Sequence, residues 1–158
     1  MNNRYIFRGK RKDNGEWVTG YYVFQRKRSG VFGQVISELD FDRHLIIDLR
    51  GNSHEVIPET VGQSTGLKDK NGKLIFEGDI LKGLSYPFLS DGEYNYYAIV
   101  VWFENSPAFG TCTVKNPQAK ARGISDGDTN YMDDWNSNDW EVIGNIHDNK
   151  DLLEVENG

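Results

Sequence analysis

The sequence predicts a mainly β protein with little helix, and three observations carry that expectation. Short runs rich in β-branched and aromatic residues recur along the chain, "YYAIVVWFE" (96–104) being the longest. Turn pairs separate them, notably Asn14-Gly15, Gly51-Asn52 and Asn71-Gly72. No apolar stripe with a period of 3.6 residues is sustained anywhere, and no repeat of solenoid length appears. The 158 residues are 37% hydrophobic and 13% aromatic with 17 glycines, which suits one domain or two small subdomains with a turn-rich, polar surface.

In "YIFRGKRKDNGEWVTGYYVF" (5–24), Asn14-Gly15 lies between two β-rich runs and predicts a hairpin with a type I′ turn. A polar bend at 26–30 follows, then "VFGQVIS" (31–37) and "HLIIDL" (44–49), so at least four strands precede Pro58. Pro58 has no N–H for a ladder and is expected at a strand edge or bend. Asn71-Gly72 marks a second hairpin. "KLIFEGDILKGL" (73–84) reads as one strand bent at Gly78, the way small barrels turn corners. A loop at 85–95, the strand at 96–104, the turn "NSPAFG" and "TCTVK" (111–115) come next. Residues 116–139 are poor in aliphatics and predict a long acidic loop with at most one short helix. "WEVIGNIHDN" supplies a closing strand at 140–148, and 150–158 a terminal turn or helix. Two subdomains are expected: an N-terminal β subdomain at 1–58 and a small barrel at 59–158.

Charge is unevenly placed. Residues 1–28 hold eight Lys/Arg against Asp13 and Glu16, and residues 126–158 hold ten acids against Lys150, within a net charge of -6. So negative a field disfavours nonspecific nucleic-acid binding, although a separate basic stripe still acts locally. The basic and acidic ends are complementary patches for self-association. No run approaches the roughly 20 apolar residues of a membrane helix, and the N-terminus lacks the apolar centre of a signal peptide, so no membrane contact and a cytoplasmic location are expected. Cys112 is the single cysteine and is expected to be a buried small side chain.

Glu77 and Asp79 flank Gly78 and would share a face of an extended strand, as paired carboxylates for acid/base or metal chemistry do. Two carboxylates are fewer oxygen ligands than divalent metals take, and short acids commonly accept backbone N–H groups in turns. Asn71, Gly72, Glu77, Gly78 and Asp79 are therefore read as a structural motif. "DGDTNYMDD" (126–134) fails as a calcium loop, because Tyr131 stands where glycine is needed and Ser137 where a bidentate Glu belongs. His44, His54 and His147 lack metal-ligand spacing, and no nucleophile elbow, Walker loop or dinucleotide fingerprint occurs. No catalytic residue, metal or cofactor is assigned.

The binding candidates are Arg8, Lys10, Arg11, Lys12, Trp17, Arg26, Lys27 and Arg28, basic groups interleaved with Tyr5, Phe7, Tyr21 and Tyr22. Such a mixture holds single-stranded nucleic acid, or forms the solvated rim that protects an edge strand.

The segments "ETVGQSTGLKDKNGKLIFEGDIL" (59–81) and "EVIGNIHDNKDLL" (141–153), with the opening "YIFRGKRKDNGEWV", resemble the YopX family of small bacteriophage and prophage proteins. The resemblance implies a β-rich fold with a Src-homology-3-like small barrel in the C-terminal part, and a phage-related origin. It implies no activity and carries over no functional residue. Ser64 stands where the family often has an aromatic residue, which removes it from any shared aromatic contact. The leading expectation is a non-enzymatic interaction or assembly module, its partner a second copy or a host protein. Nucleic-acid binding comes second and a metal-dependent enzyme third.

Overall fold

In a computed structural model that describes residues 3–27, 30–31, 34–35, 41–84, 95–115, 129–132 and 137–153, the chain is mainly β and its strands pair antiparallel. It divides into two compact units, one of Arg4–Gln63 and one running from Ser64 onward. The division falls a few residues beyond Pro58, the boundary expected from sequence.

The first unit contains β1 (Phe7–Lys10), β2 (Trp17–Lys27), β3 (Gly30–Val31), β4 (Gln34–Val35), β5 (Phe41–Asp48), β6 (Ser53–Glu55) and the start of β7 (Gly62–Lys68). β3 and β4 pair with each other, and the rest form a sheet in the order β6-β5-β2-β1-β7. Its interior is aliphatic: Ile46 and Val56 are both fully buried. Pro58 opens a turn of 3-10 helix, Pro58–Thr60, rather than bending a strand. The ring presets φ for a first helical position, where a missing N–H removes no hydrogen bond.

The second unit holds the rest of β7, then β8 (Leu74–Phe76), β9 (Asp79–Leu84), β10 (Asn95–Phe103), β11 (Ala108–Lys115), β12 (Thr129–Tyr131) and β13 (Trp140–Asn145). Its main sheet runs β12-β11-β10-β9-β13. Ile75, Leu81, Val100 and Val142 form a core under Leu67, Phe109, Met132 and Trp140. Truncating Ile75 or Leu81 to alanine costs roughly 2–5 kcal/mol.

The closed small barrel expected here is not formed among the described residues. β12 pairs with β11 and β13 with β9, which leaves the sheet with two edges. "KLIFEGDIL" is also two strands rather than one bent strand: β8 pairs with β7, while β9 pairs with β10 and β13. Gly78, at φ 80°, makes that switch of partners. The expected acidic loop contains β12, whereas 116–128 and 133–136, the loop 85–94 and the tail 154–158 lie outside the described residues. Cys112 sits on β11 half-buried rather than buried, opposite Ile99 and Thr129.

Candidate interaction surface

The N-terminal hairpin forms, with a wider turn than Asn14-Gly15 suggested. Arg11 N–H donates to the Glu16 carbonyl (2.9 Å) and Gly15 N–H to the Arg11 carbonyl (3.0 Å), which encloses four residues. Asn14 Oδ1 accepts the Glu16 N–H (3.0 Å), and this side-chain turn displaces the two-residue type I′ loop. Gly15, at φ 74°, closes it.

The basic residues of this hairpin are mostly paired. Arg11 binds Asp13, Lys12 donates to Glu55 (2.8 Å), and Arg43 reaches the other Glu55 oxygen (3.2 Å). Arg26 binds Asp42 across the β2–β5 pair (3.1 Å). The Arg11 hydrogen bond holds the Asp13 carboxyl below its usual range, and the Lys12 hydrogen bond does the same for Glu55. Arg8 is buried, its guanidinium 4.8 Å from the Trp17 ring centre, and Lys10 lies 5.6 Å from the same ring. Both contacts follow from cross-strand register, which places Lys10 opposite Trp17 and Arg8 opposite Thr19. The Lys27 side chain and Arg28 lie outside the described residues. An open cleft of about 280 Å³ beside the turn is lined by Arg11, Lys12, Asp13, Ser53, His54 and Glu55, so charges of both signs face it.

β2 is longer than its neighbour on one side. β1 accompanies it only from Trp17 to Gly20, whereas β5 follows it to Lys27. From Tyr21 onward, among the described residues, β2 has strand pairing on its β5 side alone. The bond from Arg11 N–H to the Glu16 carbonyl fixes the alternation, so residues 16, 18 and 20 turn their backbone groups toward β1. The β2–β5 register runs without a shift, so Tyr22, Phe24 and Arg26 turn theirs to the same, open edge.

Both faces of this ribbon carry apolar side chains at the surface. Tyr21 and Val23 on one face are 42% and 37% exposed, and Phe24 on the other is 44% exposed. On the Phe24 face, the Tyr22 hydroxyl meets His44 Nδ1 at 2.5 Å, Phe24 lies 5.0 Å from the His44 ring, and Arg26 stands 5.1 Å over Phe24. Burial pushes the Tyr22 hydroxyl up from its ordinary pKa. Val23, Phe24 and His44 escaped the sequence-based choice of binding residues. The signal for Val23 and Phe24 was the unbroken run "YYVF", which lacks the polar alternation of a strand with one wet face.

The paired-carboxylate segment is built as structure. Asp79 is fully buried, and its Oδ2 accepts the Phe76 N–H (2.8 Å) across the Gly78 turn. Gly78 N–H donates to the Val100 carbonyl and its carbonyl accepts from Ile146 N–H, both at 2.9 Å, which ties the turn to two further segments of its unit. Glu77 is half-buried beside it. Asp69, absent from the sequence-based motif, organises the preceding loop. One oxygen accepts the N–H groups of Asn71 and Lys73 (both 2.9 Å), and the other accepts the Val142 N–H (3.0 Å). Asn71 and Gly72 complete that loop, Gly72 at φ 82°. Ser64 is fully buried opposite Phe76, with its hydroxyl accepting the Gly66 N–H (3.1 Å).

Among the described residues, no three His, Cys, Asp or Glu side chains group as a metal site, and no helix is long and apolar enough to cross a membrane. His44 and His54 instead bond Tyr22 and Asp48.

No curated protein matches this chain. Among solved structures, it is similar to the crystal structure of protein EF1440 from Enterococcus faecalis, at 23% identity and a TM-score of 0.42 over 94% of this chain and 96% of that one. The family model described as YopX protein matches residues 6–154. Taken with the segments 59–81 and 141–153, which form the loop of Asp69, the turn at Gly78 and the strand β13, that match means the chain belongs to the YopX family.

Proposed function

We propose that this protein is a non-enzymatic interaction module of phage or prophage origin, working in the host cytoplasm through the β2–β5 ribbon. One observation carries the reading: a ribbon with Tyr21 and Val23 exposed on one face and Phe24 on the other. Exposed apolar side chains gathered on one short ribbon suit a place where another protein is bound. The flanking cations are already matched by acids, Arg26 by Asp42 and Arg43 by Glu55, which suits a polar rim around an apolar contact. The buried carboxylates serve the fold through their backbone contacts. Asp69 and Asp79 hold backbone N–H groups and present no open face to a substrate.

The double variant Tyr21→Ser with Val23→Ser tests this. It should stay folded, because both side chains already stand partly in water, and should lose association as read by sedimentation and by pull-down. Tyr131→Ser, which removes an exposed aromatic of the other unit, should leave association intact. Unchanged association in the ribbon variant would overturn the reading.

Nucleic-acid binding is the second reading, favoured by Arg26 placed over Phe24, a cation beside a stacking surface. It requires single-stranded DNA affinity that falls with salt and is weakened by Arg26→Ala. Affinity indifferent to both would remove it.

A further inference from the structure

The open edge of β2 specifies a partner for the ribbon. Tyr22, Phe24 and Arg26 turn their backbone N–H and C=O groups outward along it, and an extended edge of that kind is a template for another strand. We propose that the occupant is the β2 edge of a second copy of this chain, paired antiparallel about a two-fold axis through Phe24. The proposal rests on the ribbon being an interaction surface and names what it binds.

Self-pairing has one register that uses the whole edge. Only outward-turned residues can exchange hydrogen bonds, so Phe24 must face its own copy while Tyr22 faces Arg26 of the other. Shifting by two residues in either direction shortens the overlap and leaves one outward residue without a counterpart. In the full register Val23 meets Gln25. No like charges stand opposite each other, a condition that identical strands often fail. Arg26 brings no unmatched charge, because Asp42 already binds it, and its guanidinium arrives beside the tyrosine ring of the partner copy. Phe24 meets Phe24, an aromatic pair at the centre of the contact.

The ribbon also benefits. Past the ends of β1 and β6 it is two-stranded among the described residues, and isolated two-stranded hairpins are marginal in water. Joining two copies gives a continuous β5-β2-β2-β5 sheet and brings the apolar side chains on both faces alongside their symmetry mates. The contact is isologous, so it closes at two copies instead of propagating into a fibre.

Register is read by cysteine cross-linking of the full chain in a Cys112→Ser background. Facing residues of a hydrogen-bonded antiparallel pair have Cα atoms about 5.5 Å apart, within disulfide range. Phe24→Cys should therefore form a covalent dimer on mild oxidation. Tyr22→Cys should not, since its own copy would be about 14 Å away along the strand. A mixture of Tyr22→Cys and Arg26→Cys should cross-link. Phe24→Pro deletes one outward N–H and spares the β5 ladder, so it should raise the dimer dissociation constant about a hundredfold or more. Phe24→Ala keeps the N–H and should do less.

A protein that stays monomeric at the highest accessible concentration overturns the proposal, as does an edge that takes up only a foreign extended peptide. Self-association without the Phe24→Cys cross-link overturns it too, because the contact would then lie elsewhere. These results are separable from failure of the broader reading, which requires that Tyr21→Ser with Val23→Ser leave every association unchanged.

Discussion

"DLRGN" (48–52) in the first unit and "DKNGK" (69–73) in the second build the same loop and use it differently. In each, the Asp N–H donates to the carbonyl four residues on, at 2.9 Å for Asp48 and 2.8 Å for Asp69. The glycine N–H returns to the Asp carbonyl at 2.9 Å in both. One carboxylate oxygen accepts two loop amides, from Arg50 and Asn52 in one case and Asn71 and Lys73 in the other. The loops part at the second oxygen. Asp48 gives it to His54 (3.0 Å) and the Asn52 side chain (3.1 Å), both near the surface. Asp69 gives it to the Val142 N–H of β13, 73 positions away and buried. Local sequence therefore makes the turn, and tertiary placement decides whether the aspartate is an ornament of its loop or a clamp between strands.

Asp69→Ala should produce the largest loss, about 3 kcal/mol in urea unfolding, since a buried Val142 N–H and two loop amides lose a charged acceptor together. A loss as small as that of an exposed loop residue would mean the clamp is incidental. Gly72→Val and Gly51→Val come next, at about 1–2 kcal/mol each, because φ of 82° and 88° disfavours any side chain. The two costs should be nearly equal, since a Cβ would meet nothing within 4 Å at either position. Asp48→Ala should cost less than Asp69→Ala in the same assay, its lost partners being accessible to water.

Acid should weaken both loops. Burial alone would raise the Asp69 carboxyl, but the Val142, Lys73 and Asn71 amides and the Lys73 charge bring it below the usual range. His54 and Asn52 lower the Asp48 carboxyl as well. A folded pKa below the unfolded value of about 3.9 means the native state binds fewer protons there, so this stability is present above that pH and lost as pH falls through the folded value. The Asp69→Asn variant should show a shallower acid loss. In His54→Ala, the Asp48 titration midpoint should move up toward the ordinary value, measured by carboxyl NMR, while Asp69 stays in place. The last is the smallest effect and the most specific.

Much of the fold was legible because turns and β-rich runs are local. The hairpins around Gly15, Gly51 and Gly72 follow from residues a few positions apart, as does the bend at Gly78. Barrel closure was not, because it depends on which strands pair, and the run "KLIFEGDIL" does not reveal that β8 and β9 take different partners. The basic cluster was visible, yet its neutralisation was not: Glu55 reaches Lys12 from 43 positions away. Asp69 went unnoticed since its decisive partner, Val142, is equally remote. The ribbon's open edge emerges only once β1 is seen to end opposite Gly20 while β5 continues.

Completion of the β2 edge by a second copy is tested most directly by amide hydrogen exchange, resolved by residue and followed against protein concentration. The informative amides are those of Tyr22, Phe24 and Arg26 on the open edge, compared with those of Val23 and Gln25, which face β5. Edge amides should exchange quickly when the protein is dilute and become protected as concentration rises, while Val23 and Gln25 stay protected throughout. Fast exchange at Tyr22, Phe24 and Arg26 at every concentration would contradict a second copy on that edge.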